Sequence, residues 1–152
     1  MSTPAGRSAT VLYMSVSLDG FIAGPNAGPG NGLGDGGLRL HDWVVQGDAG
    51  ASGVPEVVSD GVNGRVVAES MSTGAVVAGR GTVEPANGWG GDHHDGVPIF
   101  VLIRGELEIE AGDWPLVTYL DDVTEAMARA KDVAGARNVL VHGATLAQLA
   151  LA

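Results

Sequence analysis

A three-layer α/β fold, mostly parallel and doubly wound, is predicted by three observations. Ala75–Ala78, Pro98–Ile103 and Val139–Val141 are continuous apolar runs rich in β-branched residues, the pattern of strands covered on both faces. Segments with helical spacing of apolar residues separate them, as βα alternation requires. Glycine-rich stretches punctuate the chain where strands and helices should connect.

The first element is read from Val11–Phe21, with Ile22 and Ala23 behind it, as a buried strand that stops at Asp19 and Gly20. Gly24–Gly37 holds too much Gly, Pro, Asn and Asp for helix or strand and reads as a flexible loop. Leu38–Val45 fits a short helix or an extended piece, and Gly47–Gly61 returns to loop composition. Val66, Val67 and Met71 predict an apolar helix face over Asn63–Met71, with Asn63 as N-cap and Gly74 as its end. The strand Ala75–Ala78 follows, then Pro98–Ile103 and a shorter strand at Leu116–Leu120. Asp122–Glu125 has the form of a capping box. Val123, Ala126, Met127, Ala130 and Val133 then line one helical face until Gly135. Val139–Val141 is the next strand, and Gly143-Ala144-Thr145 opens a last helix.

A chain of 152 residues with 45% apolar composition and 17% charged residues has the length and hydrophobicity of one globular domain. Its formal net charge of -10, without a Lys/Arg cluster, argues against nucleic-acid and anionic-membrane partners. The absence of cysteine excludes disulfides and thiolate chemistry and fits the cytoplasm. No run approaches the roughly 18 to 20 apolar residues of a membrane helix, and Met1–Ala9 lacks the apolar core of a leader. A soluble, unprocessed protein is expected.

In a parallel sheet, ligands collect at the carboxyl ends of the strands. Four such ends carry notable residues: Ser17–Gly20, Gly79–Thr82, Arg104 and His142–Thr145. Gly79 and Gly81 permit close backbone approach, Arg80 offers a planar donor fork and Thr82 a hydroxyl, a combination suited to phosphate. Gly143–Thr145 at a helix start is a second anion site. Two such ends suggest a dinucleotide; ordinary strand-to-helix turns and a surface arginine are the alternative.

Asp19 and Asp42 compete as the acid that orients a flat ring, and an exposed turn carboxylate is the alternative for each. Trp43 is preferred over Trp89 and Trp114 as a stacking surface, with core packing the alternative for all three. His142 offers a proton donor but reads as a packed histidine beside an apolar strand. Asp92-His93-His94-Asp95 invites a metal, yet adjacent residues rarely close one coordination shell, so it reads as a solvated loop and no metal is expected. Gly32–Gly37 matches G-x-G-x-x-G only by composition, because the strand it should follow ends a dozen residues earlier.

Taken in order, Met14–Asn26, Leu40–Trp43, Thr73–Thr82, Val97–Leu102, Gly112–Val117 and Val139–Ala144 resemble the dihydrofolate-reductase-like proteins. That family includes the C-terminal reductase domain of the bifunctional riboflavin-biosynthesis enzyme. The resemblance implies a cytoplasmic, homodimeric reductase that uses NADPH. Its substrate would be a small nitrogen heterocycle, pterin- or folate-like, or a ribosylaminopyrimidine as in 5-amino-6-(5-phosphoribosylamino)uracil reduction. It also implies that Ala23 meets the nicotinamide end, Gly79, Arg80 and Thr82 the cofactor phosphates, Arg104 the adenosine 2'-phosphate region, and Gly143, Ala144 and Thr145 the pyrophosphate. Ser17, Asp19 and Trp43 would face substrate, with Asp19 or Asp42 catalytic.

The chain departs from the family in having Gly143-Ala144 where two glycines are common. The family also continues past this helix with further strands, so a chain ending at Ala152 is expected to lack part of the sheet, and to self-associate or be marginally stable. The alternative to a reductase is a non-catalytic nucleotide-binding or interaction module derived from the same fold.

Overall fold

Residues 8–28, 30–46, 56–105 and 113–151 are described by a computed structural model. The readings of 1–7 as free of a leader and of 47–55 as loop lie outside these residues. In chain order the strands are β1 (Thr10–Tyr13), β2 (Val45–Gln46), β3 (Glu56–Val57), β4 (Ala75–Gly79), β5 (Ile99–Leu102), β6 (Val117–Leu120) and β7 (Val139–His142). The α-helices are α1 (Gly61–Met71), α2 (Arg80–Val83), α3 (Val123–Ala134) and α4 (Ala144–Leu151). Five strands form one sheet in the order β1-β7-β4-β5-β6. Every pairing in it is parallel. β2 and β3 form a separate antiparallel pair.

The apolar runs centre the sheet because they alone satisfy burial on both faces. Alternate residues of β4, β5 and β7 divide between two cores, as the two-residue strand period demands. Ala75, Val77, Phe100, Val139 and Val141 pack with Ala126, Ala130 and Ala134 of α3 and Leu146 of α4. Val76, Ala78, Ile99, Val101 and Leu140 pack on the other side with Val83 of α2 and Trp89. The three-layer parallel α/β architecture is thus present. Among the described residues no helix is long and apolar enough to cross a membrane.

The first strand is much shorter than its apolar run. β1 stops at Tyr13, opposite His142, where β7 also ends, and past that point the ladder has no partner. Residues 17–21 close on themselves instead. Ser17 N donates to Phe21 O at 2.9 Å, Gly20 N to Ser17 O at 3.0 Å, and Ser17 Oγ to Asp19 Oδ1 at 2.6 Å. Gly20 has φ +90°, a left-handed conformation that suits glycine. Leu18 and Phe21 are therefore exposed, not buried in a strand.

α1 begins at Gly61 with Asp60 as N-cap and ends before Ser72. Asn63 is not the cap: its Nδ2 donates to Trp43 O at 3.1 Å. Gly74 lies past the helix, where its N–H donates to Asn138 O at 2.8 Å and a Cβ would come within 2.8 Å of Arg137. Val66 and Met71 are exposed, so the apolar face predicted for α1 is largely uncovered.

α3 follows its sequence closely. Asp122 Oδ1 accepts the Glu125 N–H at 2.7 Å, and Gly135 caps the far end at φ +59°. Its buried line is Ala126, Ala130 and Ala134, with Val133 outside, because a strict i, i+4 spacing reaches 134.

Asn87–Gly91 is a left-handed turn: Asn87, Gly88, Trp89 and Gly90 have φ of 48°, 58°, 51° and 64°. The turn wraps Trp114, since a Cβ on Gly88 would lie 2.4 Å from Cζ3 of that ring and one on Gly91 2.5 Å from its Cδ1. Gly88→Ala is expected to destabilise the protein by about 2–4 kcal/mol through positive-φ strain and overpacking. Chemical denaturation checks this, and an unchanged midpoint would mean the ring moves freely.

Candidate functional site

Strand order creates the site. The chain runs outward from β4 through β5 to β6, then returns to place β7 on the other flank of β4, and such a reversal leaves a crevice at the carboxyl ends. A cleft of about 780 Å³ opens there, within the size range of small-molecule sites. Its walls are Tyr13–Ser15 at the end of β1, Gly81 and Thr82 after β4, and His142 and Gly143 at the end of β7. Ala23 and parts of Gly28–Gly34 close the outer side.

The described residues of the glycine-rich loop line the outer side of the cleft and are tied together by hydrogen bonds. Gly24 N donates to Leu33 O and Asp35 N to Pro25 O, both at 2.7 Å. The Asp35 carboxylate accepts from Asn26 at 2.7 Å and Asn31 at 3.0 Å. Those amide donors hold the carboxyl below its usual range.

The turn at Asn87–Gly91 delivers Trp89 into the cleft. Its ring lies 4.7 Å from that of His93 and 5.8 Å from that of His142, while Tyr13 meets His142 edge-on at 5.5 Å. The four histidines of the chain gather at this point. His41 and His142 line the cleft, and His93 and His94 stand behind His142. His142 Nε2 lies 3.0 Å from His93 Nε2, and His93 Nδ1 lies 2.7 Å from His94 Nδ1. Burial and the neighbouring imidazoles push His93 down to about 3 and His142 to about 4, so both rings are neutral at physiological pH. Burial also lowers His41.

Among the described residues one acid lines the cleft: Glu84, 8% exposed, whose Oε2 lies 3.4 Å from Arg80 Nε. Among the described residues, no group of three His, Cys, Asp or Glu side chains is arranged to hold a metal ion.

No protein-family model matches the chain, and no curated protein matches it. Among solved structures it is similar to a protein from Shewanella sp. PV-4 described as "Putative riboflavin biosynthesis protein", at 21% identity and a TM-score of 0.53. The match covers 94% of this chain and 69% of that one. The two share a fold.

Within this fold the sequence-predicted residues separate into groups. Ala23, Thr82 and Gly143 line the cleft. Gly79 and Arg80 adjoin Thr82 at the junction of β4 and α2, and Ala144 and Thr145 form the first turn of α4. Arg104 lies elsewhere on the rim, beside Tyr119 and Asp121 in a second depression past the ends of β5 and β6. Asp19 and Asp42 are exposed and outside the cleft lining. Ser17 is engaged with Asp19. Trp43 stands behind the wall, where its Nε1 donates to Ser15 Oγ at 3.1 Å and its ring lies 6.0 Å from that of Tyr13. Of the three tryptophans, the one that lines the cleft is Trp89.

The histidines correct one reading and extend another. Asp92–Asp95 is not simply a solvated loop, because His93 and His94 turn inward, and His142 is one of a cluster. Adjacent histidines after a Gly-Trp-Gly-Gly turn, together with a histidine at a strand end, were the available signals. Only the fold joins positions 93 and 142.

Proposed function

We propose that the chain is an NADPH-dependent reductase of a small nitrogen heterocycle, of the pterin or ribosylaminopyrimidine kind. The observation that carries this reading is the cleft at the carboxyl ends of β1, β7 and β4. The fold shared with a protein described as acting in riboflavin biosynthesis supports it.

The residues present fit a dinucleotide. Gly143 has φ +105°, and a Cβ there would lie 2.7 Å from Thr82 Oγ1; bare backbone thus borders the gap between β7 and β4. The amides at the start of α4 and the Thr82 hydroxyl would meet phosphate oxygens, with Arg80 adding a charge-assisted contact. Arg104, further along the rim, would take the 2'-phosphate end. When bound, NADPH supplies the hydride. The chain's own residues orient the ring against Tyr13 and Trp89 and exclude water with Gly28, Asn31 and Leu33 on the outer side. The exposed Leu18, Phe21 and Ile22 give the proposed homodimer an apolar surface, and cytoplasmic location belongs to the same proposal.

Titration with NADPH and NADH, and loss of absorbance at 340 nm with pterins, dihydrofolate and ribosylaminopyrimidines, test the reading. NADPH is expected to bind more tightly. Arg80→Ala should weaken it about tenfold to a hundredfold, the worth of roughly 1.5–3 kcal/mol for a charged hydrogen bond. Because Arg80 also holds Glu84, the Arg80→Ala/Glu84→Gln double variant should show the same loss. Unchanged affinity in both removes Arg80 from the site. Binding without turnover of any heterocycle would favour the non-catalytic nucleotide-binding module, a reading to which the position of Asp19 and Asp42 outside the cleft lends weight.

A further inference from the structure

A neutral imidazole carries one N–H and one lone pair, so a chain of ring-to-ring hydrogen bonds has a direction. Its direction here is set at Thr73. His94 Nε2 lies 3.3 Å from the Thr73 carbonyl oxygen, which only accepts, so Nε2 must carry the proton. The Thr73 hydroxyl gives the same answer: it donates its hydrogen to Ser70 O at 2.8 Å and is left to accept from His94 Nε2 at 3.2 Å. His94 Nδ1 is then a lone pair and must accept from His93 Nδ1–H across 2.7 Å. His93 Nε2 is in turn a lone pair that accepts from His142 Nε2–H across 3.0 Å. One atom remains. His142 Nδ1 is unprotonated, and it has no partner among the described residues. It is also not one of the buried unpartnered atoms there, which are His41 Nδ1 and the Tyr119 hydroxyl. The open space beside His142 is the cleft it lines.

We propose that His142 presents Nδ1 to the cleft as a fixed hydrogen-bond acceptor, held in that tautomer through His93 and His94 by the main chain of Thr73. It selects ligands that carry an N–H donor at that place, such as the lactam or amino edge of a heterocycle. This deepens the heterocycle reading above and rests on it for the ligand class; the tautomer assignment rests on geometry alone. His93 and His94 are positioning residues that act through His142. A lone pair at this point repels a phosphate or carboxylate oxygen, so the anionic part of any ligand lies towards Gly143 and Thr82 instead. Neutral rings are required, and the burial that lowers His93 and His142 supplies that condition. The other titratable groups on the cleft wall are Tyr13, His41 and Glu84.

The first test uses the full chain with ¹⁵N-labelled histidine and long-range ¹H–¹⁵N correlation at pH 7.5. A lone-pair nitrogen and a protonated one are expected at well-separated shifts, with lone pairs at Nδ1 of His142, Nε2 of His93 and Nδ1 of His94. In His94→Phe the anchor is lost, and the two nitrogens of His142 should move towards averaged values. A protonated Nδ1 on wild-type His142, or a His142 signal indifferent to His94→Phe in a folded variant, overturns the tautomer chain.

The second test compares uracil with its N1,N3-dimethyl derivative by NMR titration. Methylation is expected to weaken binding about five- to tenfold, the worth of one hydrogen bond, and His142→Phe should erase the difference. Equal binding of the two probes, or no binding of uracil at millimolar concentration, overturns the ligand class while leaving the tautomer result standing. Failure of NADPH turnover alone overturns the reductase reading and neither of these results.

Discussion

Acidification from pH 7 to pH 5 is expected to destabilise this protein by about 3 kcal/mol or more. His93 is held near 3 and His142 near 4 in the folded chain, against about 6.5 when unfolded. Below pH 6.5 the unfolded chain therefore binds protons that the folded chain refuses. The stability these rings contribute is complete above pH 6.5 and is lost as pH falls through 6.5 towards 4 and 3. Each ring adds a slope of roughly 1.4 kcal/mol per pH unit once the unfolded histidine is protonated. His41, also lowered by burial, acts in the same direction.

Carboxylates change charge mainly below about pH 5. Their protonation relieves the repulsion of a chain with net charge -10, an effect of opposite sign. The window between pH 6.5 and 5 thus isolates the histidines. For a domain of this length the loss corresponds to a melting temperature roughly 6–12 °C lower. Thermal melts across the window check the sum, and the slope in His93→Leu checks its source, because a variant's constant offset leaves the slope intact. A flat profile between pH 7 and 5 would mean that these rings are open to solvent.

The apolar runs at Ala75–Ala78, Pro98–Ile103 and Val139–Val141 were legible because burial on both faces leaves no room for polar residues. The α3 boundaries were legible because Asp122 and Gly135 each do a local job that sequence distance cannot hide. The apolar run after β1 misled for the converse reason. A strand needs a neighbour, and β7 ends opposite Tyr13; nothing within residues 14–21 records that. The apolar spacing of α1 likewise gives no sign that Val66 and Met71 are uncovered. In the cleft, Thr82 and Gly143 could be found from strand ends alone. The histidine chain and the place of Trp89 depend on a left-handed turn and on contacts across 49 residues, so local pattern could not supply them. Asp19 drew attention as an acid at a strand end, and that argument fell with the strand.

Gly143→Ala is expected to cost about 2–4 kcal/mol of stability and, at the proposed nucleotide site, at least tenfold in nucleotide affinity. At φ +105° an L side chain is strained, which costs on the order of 1–3 kcal/mol. The added Cβ would also lie 2.7 Å from Thr82 Oγ1, so the β4 and β7 ends must part or Thr82 must turn. Either movement displaces the hydroxyl proposed to meet a phosphate and the first amides of α4. Gly81→Ala makes the contrast. A Cβ there meets nothing within 4 Å and lies in the single turn of α2, where losing a glycine stabilises by about 0.4–1 kcal/mol. The two variants carry the same added methyl at two residues that line one cleft. Melting temperature should fall for Gly143→Ala and hold or rise for Gly81→Ala. Equal stability of the two would show that the β7 to α4 junction tolerates a side chain, and the tight backbone approach claimed for it would be lost.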